Sequence, residues 1–531
     1  MDRRQFLKMS AVAAGGTAAF SIPRLARADS TRILRFVPYA DIAIVDPVWT
    51  TAYTTRTHAL LVFDTLFGLD DNLTAQPQMV EGFTVENDGK LWTLTLRSGL
   101  LFHDGSKVLA RDCVASIKRW GVRDAFGQAL MAATDEITAK DDRTIVFRLK
   151  KPFPMLPDAL ARPSAMVAAM MPERLAMTDP FKQITEVVGS GPFRYLTEER
   201  VAGARHVYAR HEGYAPRGSG AASFTAGPKV TYFDRVEFQV IPDAATAVAA
   251  LQTGSVDWVE APMIDLLPTL RKSKDITVEI KDHNGMVAQL AMNHTQAPFN
   301  NPAIRRIILK AVNQVDCMTA VAGSEKDLWS ANFGFYSATS PMRSGEGLAA
   351  IAGPKNTDAL KKELAAAGYK GERVVMLAAQ DVPRISAVCE VVAEMFRNLG
   401  INLDFVASDW GTVIQRRTNR RSVDEGGWSC FVTYWSGLDM ATPATNSALR
   451  ANGEKASPGW PSSPALESLR ERWLDAKTLE EQKKVAGEIQ LQAVQDVPFV
   501  PAGQYFQPTA YRRNLTGMLN GFALFTNLKK A

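Results

Sequence analysis

Cysteine is scarce in this chain: Cys113, Cys317, Cys389 and Cys430 are the only four in 531 residues. None forms a C-x-x-C pair, and their spacing fits no zinc pattern. Free, buried thiols are the expectation. Histidine is almost as sparse. His58, His103, His206, His211, His283 and His294 never fall at metal-ligand spacing on a helical pattern; His206 and His211 stand in a strand–loop stretch. Also missing are G-x-x-x-x-G-K-[ST], G-x-S-x-G, H-E-x-x-H, and G-x-G-x-x-G at a strand–helix junction. Those gaps remove the signatures of P-loop, α/β-hydrolase, zinc-protease and dinucleotide chemistry. Carboxylates are too common for an acid–base pair to be singled out. No enzyme, cofactor or metal is expected.

What is present fits a globular protein. Hydrophobic residues make up 46% and charged residues 22%, ordinary values. The length exceeds what one core supports, so two or three domains are expected. Net charge is +5, of which residues 1–28 supply +4. A nearly neutral body argues against nucleic acid as a partner, because that binding neutralises phosphates.

The first residues read as a targeting segment. RRQFLK at 3–8 leads into a small-residue apolar run at 9–20, and Ala26-Arg27-Ala28 gives an A-x-A cleavage site. The pattern resembles a twin-arginine export signal, with Asp2 where Ser or Thr is usual; an ordinary signal peptide is the competing reading. The run is too short to span a bilayer, and no later run is long enough. No cysteine near the cleavage site suggests a lipid anchor. The expected mature protein is soluble, periplasmic and monomeric, exported by the twin-arginine machinery after folding in a reducing compartment.

Strand and helix patterns interleave, which predicts α/β architecture. Trp92, Leu94 and Leu96 alternate with polar residues, as do Ile145, Phe147 and Leu149, and Val236, Phe238 and Val240. Asn301 and Pro302 open a helix whose inner face is Ile304, Ile307, Ile308, Ala311 and Val312, with Arg305, Arg306 and Lys310 outside. Val388, Val391, Val392, Met395, Phe396 and Leu399 stripe another, closed by Gly400. Thr478 with Glu481 reads as a capping box. Asp88-Gly89 suits a hairpin turn, and Asp112 can start a helix. GSGPF at 189–193 reads as a tight backbone turn, and His103 as a turn-stabilising hydrogen bonder. The stretches 213–228 and 452–464 look like surface loops.

Three ordered groups of blocks carry a family resemblance. The first is VFDTLFGLD at 62–70, PQMVEGF at 77–83, DGKLWTLTLR at 88–97, FHDG at 102–105 and ARDCVAS at 110–116. The second is GSGPF at 189–193, IPD at 241–243 and LQTGSVD at 251–257. The third is LAMN at 290–293 and PFNNPAIRR at 298–306. In order and spacing the chain resembles the peptide/nickel-type substrate-binding proteins of ABC importers, the family 5 solute-binding proteins. The resemblance implies a periplasmic-binding-protein-like fold, two lobes around a ligand cleft with an extra α+β domain. In those terms lobe I is 29–68, 187–292 and 496–531, the extra domain 69–186, and lobe II 293–495. It implies capture of a small molecule or peptide by hinge closure, then delivery to membrane permease subunits.

The resemblance also nominates site residues. In peptide-binding relatives an aspartate just after a Trp pairs with the peptide's α-ammonium. Here Trp435 is followed by Leu438, and Asp439 comes one place late, as does Pro443. Either one residue is inserted and Asp439 keeps the role, or Leu438 takes the position and the amine site is gone; a simple turn-capping Asp439 is a third reading. Arg384 falls near the family's carboxylate-binding arginine, with a surface position as the rival. Tyr336 and Trp410 are candidates for aromatic cleft wall or for core. The expected cargo is a short peptide or similar amine-bearing solute. Alternatives are a nickel chelate, haem, opine or sugar, or a twin-arginine-exported cofactor enzyme.

Overall fold

The computed structural model describes residues 32–164 and 166–531. The expected targeting segment at 1–28 lies outside them. Two mixed sheets organise the rest. The first has the strand order Ile276–Ile280, Pro508–Arg512, Trp258–Val259, Ile33–Val37, Arg235–Gln239, Arg205–Arg210, Phe193–Tyr195. Its three central strands, Trp258–Val259, Ile33–Val37 and Arg235–Gln239, run parallel. The second has the order Trp329–Ser330, Val500–Tyr505, Met286–Met292, Cys430–Ser436, Val374–Ala379, Leu403–Ser408. Its last three strands are parallel. A four-stranded antiparallel sheet, Val80–Glu86, Leu91–Leu96, Thr144–Leu149 and Thr134–Ala139, is inserted in the chain between Ile33–Val37 and Phe193–Tyr195 of the first sheet.

The chain passes between the two large sheets at 281–285 and again at 506–507. Met286–Met292 and Val500–Tyr505 both lie in the second sheet, so that sheet takes in two strands that the expected boundaries at 292 and 495 gave to lobe I. Among the described residues no helix is long and apolar enough to cross a membrane. All four cysteines are free and buried. Burial pushes the Cys317 thiol up to about 12, far from the reactive range.

Local chemistry explains the elements. In Leu91–Leu96, Trp92, Leu94 and Leu96 are buried and their neighbours are not. Ile145, Phe147 and Leu149 do the same in the strand beside it. Helix Pro302–Ala311 starts on Asn301, whose side chain accepts from Ala303 N. Helix Pro383–Leu399 ends at Gly400 with φ 77°, which glycine adopts without Cβ strain. Thr478 and Glu481 form both bonds of the capping box on helix Leu479–Asp496.

Three local expectations need correction. Arg305 is not outside with Arg306 and Lys310: it is 8% exposed. Its guanidinium donates to Phe299 O at 2.7 Å and to Asp496 O at 2.8 and 3.0 Å, satisfying the last carbonyl of helix Leu479–Asp496. Asp112 does not cap its helix from outside. It sits inside helix Ala110–Arg123 and its carboxylate accepts from Leu109 N at 2.8 Å. Loop 213–228 is not wholly on the surface: Phe224, Thr225 and Ala226 are buried. The glycines of GSGPF serve close approach rather than a positive φ, since a Cβ on Gly191 would lie 2.6 Å from Val62 C. His103 bridges that same segment, with Nε2 3.1 Å from Gly191 O and Gly189 N 3.3 Å from Nδ1. Burial drops its pKa to about 4.

Candidate functional site

Parallel strands in open α/β sheets leave their carboxyl ends facing a crevice, and ligands bind there. Both large sheets have such ends. In lobe I, Ile33–Val37 leads to Tyr39 and Trp258–Val259 leads to Glu260. Glu260 N donates to Val37 O at 3.0 Å, and Tyr39 N donates to Glu260 Oε2 at 2.9 Å. In lobe II, Val374–Ala379 leads to Arg384, Leu403–Ser408 to Trp410, and Cys430–Ser436 to Asp439. Three sequence candidates from distant stretches thus follow three adjacent strands of one sheet.

Arg384 reaches across to the other lobe. It stands in the first turn of helix Pro383–Leu399, and its carbonyl accepts the Tyr434 hydroxyl at 3.2 Å. Its guanidinium lies 5.8 Å from the ring centre of Tyr39 in lobe I and 5.7 Å from that of Tyr434 in lobe II. Its enclosed Nε has no hydrogen bond, and no carboxylate approaches within 4.0 Å among the described residues. Tyr39 keeps 40% of its surface accessible, yet desolvation raises its phenol pKa.

Asp439 is 2% exposed and fully engaged. Its Oδ1 is 3.1 Å from Arg162 Nη2, and its Oδ2 accepts from Tyr53 OH at 2.8 Å and Ser164 Oγ at 3.1 Å. Arg162 also pairs with Asp124 at 3.2 Å. The Tyr53 oxygen accepts from Ser436 N as well, at 2.6 Å. This network joins lobe I through Tyr53, the extra domain through Arg162 and Ser164, and lobe II through Asp439. Leu438, beside it, is 7% exposed and packs with the lobe I core of Phe36 and Trp258.

The other candidates separate. Tyr336 is 1% exposed inside the core of lobe II, its hydroxyl 3.4 Å from Ala486 O; the structure does not bring it to the cleft. Trp410 is half-buried at the start of helix Trp410–Arg416, its ring 5.9 Å from the Arg417 guanidinium. Trp435 is half-buried on strand Cys430–Ser436, with an enclosed Nε1 that bonds nothing among the described residues.

Sequence reading missed Tyr39, Tyr53, Arg56, Arg162, Glu260 and Asp282. Arg56 had a signal: it is the lone charge in the otherwise buried helix Tyr53–Val62. Glu260 and Asp282 had none, because a carboxylate after a strand looks like any other.

Comparison with known proteins places this geometry. The model of the bacterial extracellular solute-binding proteins, family 5, matches residues 74–457. A probable peptide ABC transporter periplasmic-binding protein of Sinorhizobium fredii is 38% identical over the full length of both chains. The periplasmic binding protein AgaA of A. tumefaciens, solved with agropinic acid, superposes with TM-score 0.77 at 21% identity, covering 94% of this chain and 99% of that one. DppA of Helicobacter pylori, solved with the peptide STSA, gives TM-score 0.77 at 20% identity over 94% and 98%. Those two likenesses concern the fold; the family model and the full-length relative go further, and this chain belongs to the family 5 bacterial extracellular solute-binding proteins.

Proposed function

We infer that this chain is the periplasmic receptor of an ABC importer and captures a short peptide or similar amine-bearing solute by closing two lobes on it. The solute leaves chemically unchanged and passes to membrane permease subunits. Export by the twin-arginine machinery, with cleavage after Ala28, belongs to the same reading. The observation that carries the cargo class is Arg384, a guanidinium aimed across the lobes with no carboxylate within 4.0 Å among the described residues. A half-buried guanidinium with an unbonded Nε is completed by an anionic group from outside, and a peptide carboxylate fits a planar fork. The full-length likeness to a probable peptide-binding protein supports the same class.

The test is a thermal-shift and small-angle scattering screen of the purified chain against a defined pool of di- to pentapeptides. A peptide at a hundred times its Kd should stabilise the folded chain by about 2.7 kcal/mol and shrink the radius of gyration as the lobes close. Unmoved melting and scattering across the pool would refute the peptide reading.

A further inference from the structure

Two carboxylates on the lobe I side of the cleft have no counterion among the described residues. Glu260 accepts one hydrogen bond, from Tyr39 N at 2.9 Å. Asp282 sits in the crossing at 281–285, and its carboxylate accepts from Asn284 N at 3.0 Å. No Lys, Arg or His nitrogen of the described residues lies within 4.0 Å of either. Desolvation raises both carboxyl pKa values, and each carboxylate feels Arg56; Glu260 also feels Arg384 and Asp282. Contacts link the four: Tyr39, which donates to Glu260, has its ring 5.8 Å from the Arg384 guanidinium, and Tyr53, under Arg56, accepts from Ser436 N beside Gly437, whose N donates to Gly285 O in the crossing that carries Asp282.

Arg56 is the independent sign of a ligand there. It is 6% exposed, and its guanidinium is held between the rings of Tyr53 at 4.6 Å and Phe522 at 3.7 Å. Among the described residues its side chain makes one long hydrogen bond, to Ser164 Oγ at 3.4 Å, and its Nε has no partner. Two other buried cations meet a carboxylate directly, Arg119 with Asp46 at 2.7 Å and Lys229 with Asp64 at 2.7 Å, and buried Arg305 instead has its fork filled by carbonyls. Leaving a buried charge unpaired is costly. Two carboxylates and two guanidiniums held apart in one space form a surface that a zwitterion completes at both ends. Asp439 offers no such vacancy, since Arg162, Tyr53 and Ser164 already hold it.

We propose that Glu260 and Asp282, rather than Asp439, receive the ammonium group of the solute, while Arg56 and Arg384 receive its anionic end. This rests on the receptor reading above and assigns its amine site. The tightest binder from the peptide pool is remade with an N-acetyl cap, and both forms are titrated by calorimetry into the full chain. The wild type should bind the capped form at least about 30-fold more weakly. Glu260→Gln and Asp282→Asn should each weaken the free-amine form by about tenfold or more and leave the capped form within about threefold of wild type. If Glu260→Gln does not fold, Glu260→Asp keeps the charge but withdraws it, and about a fivefold selective loss is expected. Unchanged free-amine affinity in these variants overturns the proposal while the peptide reading stands. So does loss of amine discrimination in Asp439→Asn alone. If no peptide of the pool binds the wild type, the cargo reading fails first and the proposal falls with it.

Discussion

Arg384 shows how a single side chain gains meaning from position. On its own helix it is an ordinary first-turn residue, half-buried, with a carbonyl that accepts the Tyr434 hydroxyl. Only the opposing lobe, which brings Tyr39 under the guanidinium, turns it into an inter-lobe cation. If it holds the solute's carboxylate, Arg384→Gln should cost about 2 kcal/mol or more of affinity for peptides with a free C-terminus. Peptides ending in an amide should lose little. Calorimetry with matched acid and amide peptides checks this; equal losses for both would remove Arg384 from carboxylate recognition. Tyr336 is the opposite case. Its aromatic character fits cleft or core equally, and its 1% exposure in the lobe II cluster puts it in the core.

Helix ends carry the next level of order. Arg305 leaves helix Pro302–Ala311 to bond the carbonyl of Asp496, where helix Leu479–Asp496 stops. A buried carbonyl without a donor is costly, and hydrogen bonds to charged groups are the stronger kind. Arg305→Ala should therefore destabilise the chain by about 2–4 kcal/mol in chemical denaturation, and Arg305→Lys should recover only part, because an ammonium lacks the fork. A loss below about 0.5 kcal/mol would show that these bonds do not hold the helix end. Periodicity made the strands and helices legible: buried Trp92, Leu94 and Leu96 follow the period of two, and buried Ile304, Ile307 and Ile308 the period of 3.6. It misplaced Arg305 because a pattern along one helix does not know which other helix ends against it. It also could not say that Met286–Met292 joins the second sheet, since an apolar run names no partner strand. The cleft candidates became legible through the resemblance of ordered blocks. Glu260 and Asp282 stayed hidden because their distinction, no counterion within 4.0 Å among the described residues, exists only in three dimensions.

At the scale of the whole molecule, the network around Asp439 lies beside a crossing between the lobes. Gly437 N donates to Gly285 O at 2.8 Å, and a Cβ on Gly437 would lie 1.9 Å from Asn284 O, so the turn presses directly on the 281–285 segment. Closing motions of two-lobed receptors turn on such crossings. Asp439 thus ties lobe I, lobe II and the extra domain together at the pivot, and its effect on binding should pass through the balance of open and closed forms rather than through one ligand group. Asp439→Asn should lower the melting temperature and cost about 2–3 kcal/mol of stability, because Arg162 keeps Asp124 but loses its second charge partner. Free-amine and N-acetylated peptides should weaken by the same factor, and scattering should show a more extended average form without ligand. A loss confined to free-amine peptides, with unchanged scattering, would instead make Asp439 a direct partner of the ammonium and return the amine site to the turn after Trp435.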